Sequence, residues 1–179
     1  MGQPDRAVEA VWRGFVEDPG PELFRTLRRR AKAAGAWPGW RQRAIDHLAI
    51  EHPQAKKAAS ALVDIFLFEG KPLDALREAR RRPIVPRAWL MLAGGLAAGH
   101  PREALAVFEE KVVPQFISTP SRQHLTDIIK VLRALERGAL EAGLGKGFKA
   151  VIARIRRDFG RKKALMEAIE KEGWGRGGV

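Results

Sequence analysis

Apolar residues recur along the chain every three or four positions, and breaks rich in Pro and Gly separate the apolar segments. This spacing places the apolar side chains on one face of a helix. The first such segment, residues 5–17, carries Val8, Val11, Trp12 and Phe15 at helical spacing. The Asn-Gly signal of a tight β-hairpin is absent from the sequence. We therefore expect an all-α chain of about eight to nine helices with short connections between antiparallel neighbours.

Residues 55–69 form the most apolar segment of the chain. Apolar residues surround much of a helix drawn through this segment, so we expect that helix to be central and buried. Val63, Ile65 and Leu67 also fit the alternation of a strand, which stays a minor alternative at this stage.

Two later stretches carry weaker signals. Residues 101–116 predict one continuous helix, and Gly143, Gly145 and Gly147 predict a flexible turn before a helix over 148–158. The glycines around Lys146 invite a phosphate-loop interpretation. They lack the spacing G-x-x-x-x-G-K-[ST], however, and the pattern predicts no strand before them.

A short motif occurs twice. Residues 70–76 read Gly-Lys-Pro-Leu-Asp-Ala-Leu, and residues 99–105, twenty-nine positions later, read Gly-His-Pro-Arg-Glu-Ala-Leu. A repeat at this period is typical of stacked helical hairpins, each too small to bury its own apolar face. The sequence thus predicts one helical-repeat domain over residues 1–173, followed by a flexible, Gly-rich tail over 174–179.

The residues around the second copy resemble a known repeat. Trp89, Leu92 and Ala93, followed by Ala104 and Phe108, are similar to the tetratricopeptide pattern of small and large residues that interlock paired helices. The resemblance implies tetratricopeptide-like antiparallel hairpins stacked into an α-α superhelix. The observed period is shorter than the usual one, so we expect a degenerate version.

Several longer segments, taken in order, resemble one protein family. They are Val11-Trp12-Arg13-Gly14-Phe15, residues 34–44, residues 62–70, residues 100–105 and Arg161-Lys162-Lys163-Ala164-Leu165-Met166. Together they look like the helical C-terminal region of bacterial SWIM zinc-finger proteins of unknown function. The metal site of that family is a Cys/His cluster in a separate N-terminal domain, so the resemblance assigns no metal ligand here. SWIM fingers are thought to bind nucleic acid or protein, and that role transfers to no residue of this chain.

Composition excludes some chemistry. The chain has 179 residues, of which 45% are hydrophobic and 30% charged, so a sizeable core and a polar surface are both available. It has no Cys, which excludes disulfides, thiolate metal sites and a cysteine nucleophile within these residues. No apolar run reaches the roughly 18 residues of a membrane span, and the pattern after Met1–Arg6 predicts an amphipathic segment rather than the apolar region of a signal sequence. We expect a cytoplasmic protein with no membrane partner.

The chain is strongly basic. It has 33 Lys and Arg against 21 Asp and Glu, a formal net charge of +12. This balance is compatible with nucleic acid, an anionic membrane or an acidic protein as partner. The alternative is that the charge reflects a high-GC genome, whose codons favour Arg, Ala and Gly.

Basic residues cluster at four places: 28–30, 80–82, 154–157 and 161–163. The last two clusters flank Gly160, so we expect them to share one surface. We take as candidate nucleic-acid-binding residues Arg154, Arg156, Arg157, Arg161, Lys162 and Lys163. The alternative for every cluster is a solvated helix face, with Arg near a helix C-terminus interacting favourably with the helix dipole.

Three of the five Trp residues are candidate protein-binding residues. Trp37 and Trp40 frame a Pro-Gly turn, and Trp174 lies in the Gly-rich tail. Trp is enriched in interaction hot spots. The alternative is that Trp37 and Trp40 anchor a helix to the core, which is the commoner outcome for Trp. If the tail is ordered, Trp174 docks on a neighbouring helix or on another chain.

Catalytic and metal signals are weak. His47 and Glu51 share a helix face at i, i+4, which is the spacing of a possible metal-binding pair. A zinc site needs further ligands, so we favour the alternative of an exposed polar face. No Ser-His-Asp ordering stands out and no G-x-S-x-G occurs. We predict no catalytic, cofactor-binding or metal-binding residue and no cofactor.

Two functions remain open. The preferred one is a non-enzymatic helical-repeat scaffold that mediates protein–protein interaction, in the setting of a SWIM zinc-finger protein. The alternative is an accessory nucleic-acid-binding module that uses basic helix faces. The placement of the cations distinguishes them, because segregation onto one face favours nucleic acid and scatter among acids favours a scaffold.

Overall fold

A computed structural model describes the backbone of residues 3–51, 55–117 and 122–174, and the side chains of residues 6–50, 55–115 and 124–174. All regular structure in these ranges is helical. The ten α-helices are α1 Gln3–Glu17, α2 Pro21–Ala33, α3 Trp37–Asp46, α4 Lys56–Phe68, α5 Pro72–Arg81, α6 Pro86–Leu96, α7 Pro101–Val107, α8 Arg122–Glu141, α9 Gly145–Phe159 and α10 Lys163–Lys171. The all-α prediction is confirmed. The predicted count of eight to nine is wrong, as is the strand alternative for residues 55–69, where the largely buried α4 lies.

Contacts within the chain divide it into two compact units, Met1–Val85 and Pro86–Val179. The prediction of one domain over 1–173 stays a prediction, as does stacking into a tetratricopeptide-like superhelix. Of the predicted tail, residues 175–179 lie outside the described part of the chain, and Trp174 lies inside it.

Aromatic rings form the centre of the first unit. Phe15 and Phe24 are fully buried and lie 6.2 Å apart between ring centroids. Leu27 of α2 and Leu62 and Ile65 of α4 belong to the same buried cluster. On α2 the buried residues recur every three or four positions, as the sequence pattern predicts. The other sides of α2 are left for polar residues.

The first copy of the repeat forms the turn between α4 and α5. Gly70 has a φ of 73°, in the left-handed region that favours glycine. Its N–H donates to the carbonyl of Leu67 at 3.0 Å, and the N–H of Lys71 donates to that of Phe66 at 2.8 Å. These two bonds close the helix as a Schellman motif, and Pro72 begins the next helix.

The second copy forms the turn between α6 and α7. The N–H of His100 donates to the carbonyl of Leu96 at 2.7 Å, and α7 begins at Pro101. Gly99 lies outside the left-handed region, so the two copies close their first helix differently. In both copies the Ala and Leu of the motif are buried, and the two helices joined by the turn pack together. The repeat therefore marks one helical hairpin in each unit.

Two segments differ from the predicted helices. The helix predicted over 101–116 is α-helical only to Val107 and continues as a π-helix over Phe108–Ile117. Pro114 lies inside that segment, and a proline has no N–H to donate and crowds the carbonyl four residues earlier, so α-helical geometry is disfavoured there. A second π-helical segment, His47–Glu51, follows α3.

The predicted flexible turn at Gly143, Gly145 and Gly147 is wrong for its second half. Gly143 ends α8 with a φ of 71°, but Gly145 and Gly147 belong to α9. A Cβ at Gly147 would lie 3.3 Å from Cδ1 of Leu105. Gly147 thus allows the first turn of α9 to pack closely on α7.

Gly138 marks the closest approach in the second unit. It is buried on α8, and a Cβ there would overlap the carbonyl oxygen of Ala97 and lie 3.6 Å from Cβ of Pro101. Ala97 and Pro101 flank the turn that carries the second copy of the repeat. This position of α8 accepts only a glycine without movement of the backbone.

We expect Gly138→Ala to lower the free energy of unfolding by about 1–3 kcal/mol, because the added methyl overpacks α8 against a backbone carbonyl. Urea unfolding followed by circular dichroism measures the change. The control is Gly39→Ala in α3, where a Cβ meets no atom within 4 Å. That change should be neutral or stabilising by up to about 1 kcal/mol. Equal effects at the two positions would contradict the close approach.

Candidate functional site

The six candidate nucleic-acid-binding residues lie in and around the short turn between α9 and α10, which begins at Gly160. Arg154 and Arg157 are paired with acids. Arg154 lies 3.1 Å from Oε1 of Glu109 and 3.4 Å from Oδ2 of Asp158, and Arg157 lies 2.9 Å from Oδ1 of Asp158. The hydrogen bond from Arg157 lowers the pKa of Asp158, so that carboxylate stays charged at neutral pH. Acids thus interleave with this basic cluster.

The six residues do not share one helix face. The buried side of α9 carries Phe148, Ile152 and Ile155. At 3.6 residues per turn, Arg154 and Arg156 are about 160° apart and lie on opposite flanks of that buried side. Arg161 and Lys163 are exposed at the turn and the start of α10. The nucleic-acid role of this cluster stays a prediction, and its geometry is that of scattered, partly neutralised charge.

The candidate tryptophans at the start of α3 each pack one part of the side chain into the first unit. Trp37 meets Phe24 edge to face at 5.3 Å, and Trp40 lies 5.7 Å from Trp12. Both indoles are half-buried, and the two residues between them, Pro38 and Gly39, are exposed. The anchoring of α3 and the binding of a partner are therefore compatible roles, because each tryptophan packs on the core and stays partly exposed.

Trp174 closes the last described turn. The N–H of Gly173, whose φ is 82°, donates to the carbonyl of Glu170, and the N–H of Trp174 donates to that of Ile169. The indole meets Phe148 of α9 edge to face at 5.5 Å. The residue docks on a neighbouring helix of its own chain, as expected for an ordered tail. Its role in protein binding stays a prediction.

A basic surface that the sequence analysis did not single out lies on α2. Arg25, Arg28, Arg29 and Lys32 recur at i, i+3, i+4 and i+7, which places them within an arc of about 100° on one flank of the helix. We call these four residues the α2 stripe. The guanidinium carbons of Arg25 and Arg28 lie 5.1 and 5.2 Å from the ring centroid of Phe68, the last residue of α4. The stripe therefore faces the C-terminal end of α4.

Glu69 follows Phe68 and is held by cations. Its two carboxylate oxygens accept hydrogen bonds from Arg41 at 2.6 and 2.7 Å, and Nζ of Lys71 lies 3.9 Å away. The carboxylate side chain is 9% exposed and the guanidinium side chain 26%. The hydrogen bond from Arg41 lowers the pKa of Glu69, and the charges of Arg41, Lys71 and Arg28 lower it further against the opposing effect of burial.

Acids are scarce around the α2 stripe. Glu22 pairs with Arg25 at 2.7 Å in an exposed i, i+3 pair, and Glu69 is taken up by Arg41. Among the described side chains, no ion pair at all involves Arg29 or Lys32, and both are exposed. Unlike the cluster at α9, this flank carries segregated positive charge.

The consecutive basic runs of the sequence do not form surfaces of their own. In 28–30, Arg30 lies on the opposite side of α2 from the stripe. In 80–82, Arg82 pairs with Glu78 and donates to the carbonyl of Leu48 at 3.0 Å, so it holds α5 to the segment after α3. Helical spacing, which links Arg25 and Lys32 to the run, was the signal for the stripe. The contact with Phe68 lies 40 positions away from Arg28 and has no local signal.

No group of three His, Asp or Glu residues suited to a metal ion occurs among the described residues. His47 is 3% exposed and lies against the ring of Trp12 at 5.6 Å, so it belongs to the aromatic core. The side chain of Glu51, its predicted companion, lies outside the described ranges. Within those ranges, no helix is long and apolar enough to cross a membrane.

The helices of the described residues place the chain in the class of all-α proteins. Comparisons with protein-family models, curated proteins and solved structures found no match.

We expect the Arg41–Glu69 pair to give stability that depends on pH. An ionised Glu69 with a lowered pKa stabilises the fold above its unfolded pKa of about 4.3, and this contribution disappears as the pH falls through the lower folded value. Glu69→Gln should therefore cost about 1–3 kcal/mol at pH near 7 and much less at pH near 3. Urea unfolding at the two pH values measures the difference.

The control for this prediction is Glu22→Gln, which removes the exposed pair with Arg25. Exposed pairs contribute little, so the loss should stay below about 0.5 kcal/mol at either pH. A cost for Glu69→Gln that is the same at both pH values would show that the charge of Glu69 is not what stabilises the unit.

Proposed function

We propose that the chain is a non-enzymatic helical-repeat scaffold that binds a protein partner at the start of α3. The supporting observation is the surface formed by Trp37, Pro38, Gly39 and Trp40, in which two half-buried indoles flank two exposed residues. Trp is suited to such a role because a rigid, partly anchored ring loses little conformational freedom on binding. We call these four residues the α3 surface.

The anchoring of both rings supports this proposal. Trp37 rests on Phe24, and the ring of Trp40 lies on Trp12 with the guanidinium of Arg43 4.9 Å from its centroid. Rings held by the core present their exposed edges in a fixed position. A fixed position reduces the free-energy cost of ordering the surface when a partner binds.

The repeated hairpins supply the frame of the proposed scaffold. Both copies of the repeat use their Ala and Leu for packing and their Pro to begin a helix, so the motif serves architecture in each unit. Stacking of such hairpins in the tetratricopeptide manner belongs to the same proposal, because repeats of this kind commonly present extended binding surfaces.

The resemblance to SWIM zinc-finger proteins extends the proposal. In that setting the chain is the accessory helical region beside a zinc-binding domain, and the zinc ligands belong to that other domain. The ordered segments named above support this extension. Recovery of a partner that carries the Cys/His cluster, or its presence in the same polypeptide, would be the expected finding.

The alternative role of the α9–α10 cluster in nucleic-acid binding has weaker support. Its cations are interleaved with Glu109 and Asp158 and lie on opposite flanks of α9, which is the arrangement expected of a solvated scaffold face.

We expect Gly39→Glu to abolish binding of the protein partner while leaving the fold intact. A Cβ at position 39 meets no atom within 4 Å, so the glutamate side chain can project from the middle of the α3 surface and place a carboxylate in the interface. Affinity purification from the source cells, with quantitative mass spectrometry, should recover a partner with the unmodified chain and lose it at least about tenfold with the variant.

The matched control is Gly20→Glu, which adds the same charge at another position with no atom within 4 Å. It should recover the partner fully. If both variants lose the partner equally, or if neither does, the α3 surface is not the binding site.

A further inference from the structure

We propose that the α2 stripe is a second binding surface, which contacts the phosphate backbone of duplex nucleic acid without reading its sequence. The stripe is formed by Arg25, Arg28, Arg29 and Lys32. It uses none of the residues of the α3 surface, and the inference does not depend on the proposed protein partner.

The length of the stripe fits a run of phosphates. Arg25 and Lys32 are seven residues apart, which is about 10 Å along a helix with a rise of 1.5 Å per residue. Phosphates of one DNA strand follow each other about every 3.4 Å along the duplex axis and are also displaced around it, so the stripe is long enough to reach about two neighbouring phosphates. Three of its four residues are Arg, whose planar fork holds a phosphate through two parallel hydrogen bonds.

Packing holds part of the stripe in place before any ligand binds. The guanidinium groups of Arg25 and Arg28 lie over the ring of Phe68, which itself meets Phe24 of the core edge to face at 6.2 Å. Arginine side chains that rest on a fixed ring lose less rotamer entropy when they bind. The outer pair, Arg29 and Lys32, is exposed and completes the flank.

The nearest buried carboxylate, that of Glu69, interacts with Arg28 of the stripe but is held mainly by cations outside it. Glu69 receives two hydrogen bonds from Arg41 and has Lys71 at 3.9 Å, so two cations outside the stripe already compensate it. The only other carboxylate paired with the described stripe is the exposed Glu22. A local excess of positive charge remains, and convergent cations of this kind attract phosphates through release of counterions.

The geometry favours a duplex backbone over a single strand. Single-stranded nucleic acid is usually held by bases that stack on free aromatic rings. The ring of Phe68 is already in contact with Phe24 and two guanidinium groups. The stripe therefore offers charge in a row but no open stacking platform, which suits backbone contact.

Fluorescence anisotropy with a labelled duplex DNA of about 20 base pairs and arbitrary sequence tests the proposal, at salt from about 50 to 200 mM. The variant Arg29→Glu with Lys32→Glu changes the two exposed members and leaves the residues on Phe68 in place. We expect its affinity to fall at least about tenfold, and the slope of log K against log salt to become shallower by about two, since each lost phosphate contact removes about one.

The matched control is Arg30→Glu with Arg81→Glu. Both residues are exposed, the change in net charge is the same, and Arg30 lies on the side of α2 away from the stripe. The control should keep most of the affinity and of the salt slope. Circular dichroism confirms that each variant is folded.

Several results would overturn the proposal. One is absence of binding by the unmodified chain at low salt, and another is an equal loss in the two double variants, which would mean that net charge alone drives binding. Tighter binding to a single strand than to the duplex would replace the proposed ligand with single-stranded nucleic acid. If poly-glutamate at matched charge competes with the duplex equally well, the ligand of the stripe would be an acidic protein instead of nucleic acid.

Discussion

Glu69 follows the last residue of α4, where the carbonyl groups of the helix already concentrate negative charge, which is an unfavourable place for a carboxylate. The carboxylate is also almost buried, so desolvation adds to the cost. Two hydrogen bonds from Arg41 of α3, with Lys71 nearby, offset both effects. The pair thereby joins α3 to the turn between α4 and α5. Phe68, one residue earlier, is the ring on which α2 places two of its arginines.

The Arg41–Glu69 pair illustrates a difference between two groups of cations. Some hold the fold together, and others remain available to a ligand. Within the first unit, Arg41 pairs with Glu69, and Arg82 pairs with Glu78 and donates to the carbonyl of Leu48. Arg29 and Lys32 are exposed on a flank where acids are scarce. The placement of the charges is therefore more informative than the net charge of the chain, because one strongly basic protein contains both a partly neutralised cluster at α9 and a segregated stripe on α2.

Short-range signals in the sequence were enough to predict most of the helices. Pro72 and Pro101 of the repeated motif begin helices. The contact of Arg28 with Phe68 was not predictable, because it joins residues far apart in sequence and depends on packing. The close approach of α8 to Ala97 at Gly138 was not predictable for the same reason. The candidate at α9 failed to form one face because adjacent arginines on a helix point in different directions.

A double-mutant cycle on Arg41 and Glu69 tests the central claim that this pair organises the first unit. The variants are Arg41→Gln, Glu69→Gln and both together, compared by urea unfolding at neutral pH. Direct, desolvated contact predicts a coupling free energy of at least about 1.5 kcal/mol. A coupling within about 0.3 kcal/mol of zero would mean that the two residues act independently, and it would contradict this account of the unit.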